Sequence, residues 1–286
     1  MKTNKFFFFI FTALFFTFTA CVKDKDKNAD YKTTESYDLK NIAYGSHNQQ
    51  KMDIYLPKNR NEETKVFVLI HGGGWNAGNK SDFTYMMDNL KGIYPDYAII
   101  NLNYRLGSVG SPGYNKQIID IEKALNHIQG PKYNVSDQYF LIGASAGAHL
   151  ALLYGYAFDP ELQVKGICNL VGPTDLTDPE YTENQILQYG FTNLVGPYTY
   201  AQNPSLFEEV SPVTHVSANS PATISFYGGE DPLIPSTQMG LLHNKLDIHG
   251  VYNEATMYPG EGHVGWSQFN STDFALKLFA FINSRF

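Results

Sequence analysis

Short, continuously apolar segments alternate with amphipathic segments along most of this chain. The apolar segments occupy residues 66–70, 97–100, 139–142, 166–171 and 223–227. Runs of this kind are typical of parallel strands, because helices cover both faces of a parallel sheet. Residues 51–56 instead alternate polar and apolar side chains, which predicts an antiparallel strand with one exposed face.

The segments between these strands carry apolar residues at helical spacing. In residues 117–129, isoleucine and leucine recur every three or four positions and form one apolar stripe. Residues 237–247 and 268–286 also have the pattern of helices. Because strands alternate with helices, the sequence predicts an α/β fold with a mostly parallel, doubly wound sheet and helices on both faces.

Residues 176–213 depart from this alternation. The segment is rich in Tyr, Pro, Asn and Thr, and its apolar residues show little periodicity. A connection of this length inside a compact domain is usually functional. Because it lies between two predicted core strands, we expect a small cap-like insert over an active site.

The amino-terminal residues have the pattern of an export signal. Lys2 and Lys5 precede an apolar run, residues 6–18, which is too short to span a bilayer comfortably. The small residues before Cys21 resemble the lipobox of bacterial lipoproteins, in which the cysteine is lipidated and becomes the first residue of the mature chain.

This resemblance predicts how the chain is divided. It favours a signal peptide over residues 1–20, a lipid-anchored flexible tether over 21–35 and a folded domain over 36–286. The protein would then be exported across the inner membrane and anchored in a bacterial envelope, in the periplasm or at the cell surface. Phe18 departs from the usual Leu, and the alternative is an ordinary cleaved signal with an incidental Cys21.

Composition and charge narrow the possible function classes. The chain has 286 residues, of which 43% are apolar and 17% charged, as in globular proteins with a sizeable core. The net charge is −7 and no stripe of Lys or Arg occurs, so we expect no nucleic-acid partner and membrane contact only through the lipid anchor. Metal-binding and dinucleotide motifs are absent from the sequence, which predicts neither a metal nor a cofactor. Cys168 is expected to be a buried apolar residue.

Candidate chemistry begins with residues 143–147, Gly-Ala-Ser-Ala-Gly, between the apolar run 139–142 and a helix-like run, 148–153. In a G-x-S-x-G pattern between a strand and a helix, the serine adopts a strained turn, and the glycines let neighbouring chains approach closely. The hydroxyl is then exposed beside a helix N-terminus, whose dipole favours negative charge. Ser145 is therefore the candidate nucleophile.

A serine hydroxyl needs a base to take its proton, usually an oriented histidine. His263 follows the last predicted strand, residues 251–257, so we expect it at the same sheet edge as Ser145. His149 lies on the helix behind the serine, and we interpret it as a packing or hydrogen-bonding residue. His71 is interpreted as a structural residue that fixes its own loop.

The imidazole in turn needs a carboxylate to hold its tautomer. Asp231 follows the predicted strand 223–227 and completes the chain order of nucleophile, acid and base. Glu230 and Asp175 remain alternatives to it. Glu261 is expected to be a solvated loop charge.

Attack on a carbonyl creates an oxyanion, and donors must already point to where that charge develops. Residues 71–75, His-Gly-Gly-Gly-Trp, directly follow the predicted strand 66–70. Three successive glycines leave the backbone N–H groups unobstructed. We therefore predict an oxyanion hole formed by the amides of Gly73, Gly74 and Ala146.

Taken together, these motifs resemble the α/β-hydrolase superfamily. Within it, the chain is similar to esterases that carry HGGG and GxSAG, namely the hormone-sensitive-lipase-like branch and the feruloyl and acetyl xylan esterase-like enzymes. Ala144 and Ala148 depart from the Asp and Gly that many relatives have there. The resemblance implies an acyl-serine intermediate, water as the final acceptor and no cofactor. The matching segments are residues 52–57, 71–75, 103–106, 145–147, 211–213, 231–232 and 262–263.

The resulting hypothesis is a serine carboxylic ester hydrolase that acts on short acyl esters or on acetyl and feruloyl esters linked to polysaccharides. One alternative is an amide hydrolase of the arylformamidase or peptidase type, because HGGxW also occurs in arylformamidase-like enzymes. A second alternative is a non-catalytic binding protein on the same fold, since a fold alone does not prove activity.

Overall fold

The computed structural model describes residues 30–286, and within this range eight strands form one sheet. The strands are β1 (Tyr37–Ala43), β2 (Lys51–Leu56), β3 (Val66–Ile70), β4 (Ala98–Leu102), β5 (Tyr139–Ala144), β6 (Val164–Leu170), β7 (Ala222–Gly228) and β8 (Asn253–Tyr258). Their order is β1-β2-β4-β3-β5-β6-β7-β8. The pairs β1–β2 and β2–β4 are antiparallel and the other neighbours are parallel, which confirms the predicted mostly parallel sheet.

Helices cover both faces of this sheet, as predicted. They are α1 (Thr84–Ile93), α2 (Lys116–Ile128), α3 (Ala146–Ala157), α4 (Pro179–Thr182), α5 (Gln185–Gly190), α6 (Thr192–Val195), α7 (Pro204–Glu209), α8 (Thr237–Ile248) and α9 (Gln268–Arg285). Along β3, Val68 packs with the layer of α2, α3 and α8, whereas Phe67 and Leu69 pack with α1 and α9. Side chains that alternate in this way form two core layers, because successive residues of a strand face opposite sides.

The insert has more regular structure than its sequence indicates. Residues 176–213 contain four short helices, α4 to α7, each of four to six residues. A helix of one or two turns presents too few positions for an apolar period to be visible. The sequence therefore indicates only a long connection with little periodicity, and the structure places these helices within it.

The last part of the predicted tether lies against the domain. Arg60 is 3% exposed, and its guanidinium donates to the carbonyl oxygens of Tyr31, Lys32 (3.1 Å) and Glu35 (2.9 Å). Arg60 lies in the connection to β3, at the sheet edge opposite Ser145. Residues 31–35 of the predicted tether are thus held against the domain, because a buried side chain distant in sequence binds their backbone.

The remaining amino-terminal predictions concern residues outside the described part of the chain. These are the signal peptide over residues 1–20 and the lipidated Cys21. Among residues 30–286, no helix combines the length and the apolar character needed to cross a membrane.

Candidate active site

Ser145 occupies a sharp turn between β5 and α3. Its backbone has φ 53° and ψ −123°, a conformation that costs a non-glycine residue on the order of 1–3 kcal/mol. Its amide donates to the carbonyl oxygen of Leu170 at 2.8 Å, which ties the turn to β6. A Cβ at Gly143 would lie 2.4 Å from the oxygen of Gly147, and one at Gly147 would lie 2.0 Å from that of Ile70. The close packing therefore requires both glycines of the motif.

The structure brings Ser145, His263 and Asp231 together. His263 Nε2 lies 3.0 Å from Ser145 Oγ, and His263 Nδ1 lies 2.7 Å from Asp231 Oδ2. The Asp231 side chain is fully buried, and its other oxygen accepts hydrogen bonds from the amides of Leu233 (2.8 Å) and Ile234 (3.0 Å). An ionised carboxylate only accepts, so Nδ1 carries the ring hydrogen and Nε2 is free to accept the serine proton.

The alternatives to Asp231 lie elsewhere. Asp175 Oδ1 accepts hydrogen bonds from the amide and the hydroxyl of Thr177, at 2.9 and 2.6 Å, and the Glu230 side chain is exposed. Among the described residues, Asp231 is the carboxylate that contacts His263. The choice made from chain order and strand-end position therefore agrees with the geometry.

The prediction that Glu261 is a solvated loop charge is wrong. Its side chain accepts hydrogen bonds from the Ser267 amide (2.9 Å) and from Asn270 Nδ2 (2.6 Å), at the start of α9. These hydrogen bonds from Ser267 and Asn270 lower the pKa of the Glu261 carboxyl. Its backbone oxygen also accepts from the amide of Glu230 at 2.9 Å. Glu261 thus joins the loop of Asp231, the loop of His263 and α9, a fold-back that the sequence does not reveal.

The predicted oxyanion donors lie on two neighbouring backbone segments. Gly73 and Gly74, after β3, have φ values of 110° and 54°, and a Cβ at Gly73 would lie 2.3 Å from the oxygen of Ala77. Ala146 is the first residue of α3, so its amide has no acceptor within the helix. Gly73 and Gly74 line the same cavity as Ser145. The loop conformation is one that glycine adopts readily.

The cavity above Ser145 has a volume of about 1170 Å³. The insert forms one side of it through Tyr181, Leu187 and Phe191, whose two aromatic rings meet edge to face at 4.9 Å. This position is the one expected of a cap-like insert. The other side is formed by α1, α9 and the loop before α9, and sequence reasoning did not assign it to the site. No period of apolar residues marks this wall in the sequence, because the cavity-lining residues of α9 are polar as well as apolar.

The two histidines interpreted as structural make internal contacts. His149 is fully buried, accepts a hydrogen bond from Trp75 Nε1 at 3.2 Å and lies 2.8 Å from the carbonyl oxygen of Val210. Burial lowers the pKa of His149 to about 4, so the ring is neutral and donates to that oxygen. His71 Nδ1 lies 2.7 Å from the carbonyl oxygen of Gly72, within the glycine loop. Both contacts fix backbone around the site.

Cys168 is fully buried in β6, as expected, and burial raises the pKa of its thiol. A buried thiol with a raised pKa is a poor nucleophile. Within residues 30–286, no three side chains of His, Cys, Asp or Glu are grouped closely enough to hold a metal ion.

The chain is similar to a known protein family and to several known proteins. The family described as BD-FAE matches residues 52–246, more than half of the chain. Esterase LipQ of Mycobacterium tuberculosis is 24% identical over 237 residues, which cover 77% of this chain and 52% of that protein. Kynurenine formamidase of Salmo salar is 25% identical over 149 residues, which cover 48% of this chain and 47% of that protein.

Among solved structures, a truncated form of a carbohydrate esterase from gut microbiota is similar with a TM-score of 0.70 and 21% identity, covering 87% of this chain and 98% of that chain. This likeness shows the α/β-hydrolase fold that the sequence motifs predict. The chain spans about half the length of the curated relatives that it matches.

Replacing Gly147 with Ala tests the close approach of α3 to β3. The new Cβ would lie 2.0 and 2.4 Å from the oxygens of Ile70 and His71, so we expect the free energy of unfolding to fall by about 3 kcal/mol. Gly240→Ala in α8 is the matched control: its Cβ meets nothing within 4 Å and should stabilise by about 0.5–1 kcal/mol. Urea unfolding measures both, and equal stabilities would contradict the packing argument.

His149 makes stability depend on pH with a defined sign. The folded protein keeps the ring neutral down to about pH 4, whereas the unfolded chain protonates it near pH 6.5. Between these values the unfolded state binds more protons, so stability falls as the pH drops. His149→Gln can still donate and accept but does not titrate. From about pH 7 to about pH 5, we expect wild type to lose about 2 kcal/mol relative to this variant in urea unfolding. A pH-independent difference would refute a neutral, buried His149.

Proposed function

The chain belongs to the BD-FAE family, and from this premise we propose that it is a serine carboxylic ester hydrolase. The observation that carries the proposal is the hydrogen-bonded series of Ser145, His263 and Asp231, with distances of 3.0 and 2.7 Å. The similarity to Esterase LipQ over 77% of this chain supports the same reaction. The proposed substrates are short acyl esters, or acetyl and feruloyl esters linked to polysaccharides.

In the first half of the proposed reaction, Ser145 becomes acylated. His263 Nε2 accepts the Oγ proton as Oγ attacks the ester carbonyl carbon, and Asp231 stabilises the imidazolium that forms. The carbonyl oxygen becomes an oxyanion that accepts hydrogen bonds from the amides of Gly73, Gly74 and Ala146. When the tetrahedral intermediate collapses, the C–O bond to the alcohol breaks and His263 protonates the departing oxygen.

The second half returns the enzyme to its starting state. Water enters where the alcohol left, and His263 Nε2 takes a proton from it as its oxygen attacks the acyl carbon. The same amides stabilise the second oxyanion. The bond to Ser145 Oγ then breaks, Oγ regains the proton from His263, and the carboxylic acid departs.

Amide cleavage of the formamidase type is the second candidate. The observation that favours it is the similarity to Kynurenine formamidase of Salmo salar over 48% of this chain. The same nucleophile, base and oxyanion donors would serve it, because attack on an amide carbonyl also passes through a tetrahedral oxyanion. The two reactions are separated by comparing turnover of N-formylkynurenine with turnover of p-nitrophenyl acetate.

The Ser145→Ala variant tests the proposed mechanism. It removes the atom that forms the acyl-enzyme, so we expect kcat for p-nitrophenyl acetate to fall by about 10⁵-fold or more and labelling by a fluorophosphonate probe to vanish. Ser46 is exposed, so the Ser46→Ala variant is the control and should keep both the turnover of p-nitrophenyl acetate and the labelling by the probe. If wild type is neither labelled nor active on any ester or on N-formylkynurenine, the chain is a binding protein instead.

We also propose that the mature protein is anchored by lipid at Cys21, in the periplasm or at the surface of a bacterial cell. The support is the charged, apolar and lipobox-like order of residues 2–21, which lie outside the described part of the chain. Residues 31–35 dock at the sheet edge opposite Ser145. A chain tethered there would present its catalytic edge away from the membrane.

Mass spectrometry of the mature amino terminus tests this anchor. We expect a chain that starts at an acylated Cys21 and sediments with membranes, because two or more acyl chains bind a bilayer stably. Cys21→Ser should remove the lipid and the sedimentation and leave fluorophosphonate labelling intact. If the first residue of the mature wild-type chain carries no lipid, the proposed anchor is refuted.

A further inference from the structure

A groove between α1 and α9 extends the cavity away from Ser145. Both helices begin after parallel strands, at the catalytic edge, and both pack on the same face of the sheet. The lining residues of each helix recur every three or four positions, so each helix presents one continuous stripe to the groove. They are Tyr85, Met86, Asn89 and Ile93 on α1, and Gln268, Ser271, Thr272, Phe274, Ala275, Leu278 and Phe279 on α9.

These stripes make the groove long. At 1.5 Å rise per residue, Tyr85 to Ile93 spans about 12 Å and Gln268 to Phe279 spans about 16 Å. The helices converge at the far end, where the Tyr94 hydroxyl donates to Asn283 Oδ1 at 3.1 Å and the Tyr94 ring meets Phe279 at 6.1 Å. The groove therefore starts at the catalytic serine and stops where α1 meets α9.

The floor of the groove is apolar and begins beneath the nucleophile. Ala144 directly precedes Ser145 and pairs with Leu170 in the sheet, and both line the cavity with the buried Leu278. On α9, the polar lining residues Gln268, Ser271 and Thr272 lie in the first turns, nearest to the catalytic edge. The α9 wall thus becomes more apolar with distance from the site of attack, whereas the α1 wall carries the polar Asn89 midway.

We propose that this groove binds an extended aliphatic acyl chain of the ester that Ser145 attacks. The inference rests on the proposed ester hydrolysis and extends its acyl range beyond short groups. A single aromatic ring would fill only the part next to Ser145. Each further methylene of an aliphatic chain buries more apolar surface along the floor, and burial of apolar surface is favourable.

The acyl side is assigned because of the order of events at Ser145. The alcohol leaves next to His263, where water must then enter. The acyl group stays covalently bound to Ser145 through both halves of the reaction. An apolar surface that begins under Ser145 can therefore hold the acyl chain throughout, whereas a chain on the alcohol would have to leave it midway.

The test compares p-nitrophenyl butyrate with p-nitrophenyl octanoate on the full chain. In wild type, kcat/KM should rise on the order of 10-fold from butyrate to octanoate, since the open groove covers the chain on part of its circumference. Ala275→Phe places a ring midway along the groove and should bring this ratio down to about one. Leu276→Phe is the matched control, because Leu276 is 65% exposed and outside the lining, and it should keep the wild-type ratio.

A second pair of variants tests the opposite wall and guards against misfolding. Asn89→Trp on α1 should lower the octanoate-to-butyrate ratio, whereas Asp88→Trp, outside the lining, should not. Fluorophosphonate labelling of Ser145 reports whether each variant is folded and has an intact site. If the Ala275→Phe variant is not labelled, the octanoate-to-butyrate ratio of the Asn89→Trp variant decides whether the groove binds the acyl chain.

The outcomes separate this inference from the proposed function. One contradicting outcome is a labelled wild type with equal kcat/KM for butyrate and octanoate, and another is labelled groove variants that keep the wild-type octanoate-to-butyrate ratio. Either result would refute acyl binding in the groove without contradicting the proposed hydrolase. A chain-length effect in an octyl against butyl acetate series, with a flat acyl series, would overturn the acyl assignment. Absence of both labelling and ester turnover in wild type refutes the hydrolase itself.

Discussion

The arrangement of the site depends on one close backbone contact, the approach of α3 to the end of β3. Gly147 lies so near to the carbonyl oxygens of Ile70 and His71 that a Cβ would be 2.0 and 2.4 Å from them. Because β3 and β5 are neighbours in the sheet, this contact brings the turn that carries Ser145 beside the loop that carries Gly73. Nucleophile and oxyanion donors therefore share one rigid unit, and catalysis by fixed dipoles requires such preorganisation.

A second contact holds the acid and the base. Gly228 ends β7 opposite Tyr258 in β8, and a Cβ there would lie 2.3 Å from the oxygen of Glu261. The amide of Glu230 donates to that same oxygen. The loops of Asp231 and His263 are thus hydrogen-bonded to each other independently of the contact between His263 and Ser145. Parallel strand ends place all these loops at one edge, and hydrogen bonds between the loops fix the distances.

The sequence predicts this edge well, for a physical reason. Runs of buried apolar residues mark where parallel strands end, and Ser145 and Asp231 each follow such a run. His263 follows β8, whose side chains are mostly half-buried, so the chain order of nucleophile, acid and base carries its prediction. Glu261 escaped prediction because its partners, Ser267 and Asn270, are reached only when the loop folds back onto α9. The short helices of the insert and the groove wall escaped for the same reason: they are defined by contacts between segments, and no local period records them.

The backbone at the catalytic edge is strained in a regular way. Trp75, Ser145 and Val171 follow β3, β5 and β6, and all three have positive φ, at 63°, 53° and 47°. For a β-branched residue such as Val171 this conformation is a genuine outlier. Such residues persist only where their surroundings over-determine them.

Hydrogen bonds to neighbouring strands hold the backbone at this edge. The amide of Ser145 donates to Leu170, and that of Val171 donates to Phe226 at 2.9 Å, so these two residues extend the hydrogen bonding of their strands to the next strand. Trp75 is held differently: its carbonyl oxygen accepts a hydrogen bond from the amide of Gly107 at 2.7 Å. Away from this edge, the other described non-glycine residues with positive φ are asparagines, such as Asn59 and Asn134, with the exception of Leu162. Asparagine tolerates this conformation locally. At the catalytic edge the strain is instead balanced by cooperative strand pairing. The reactive geometry of Ser145 is therefore a property of the whole parallel sheet, and the five-residue motif alone could not maintain it.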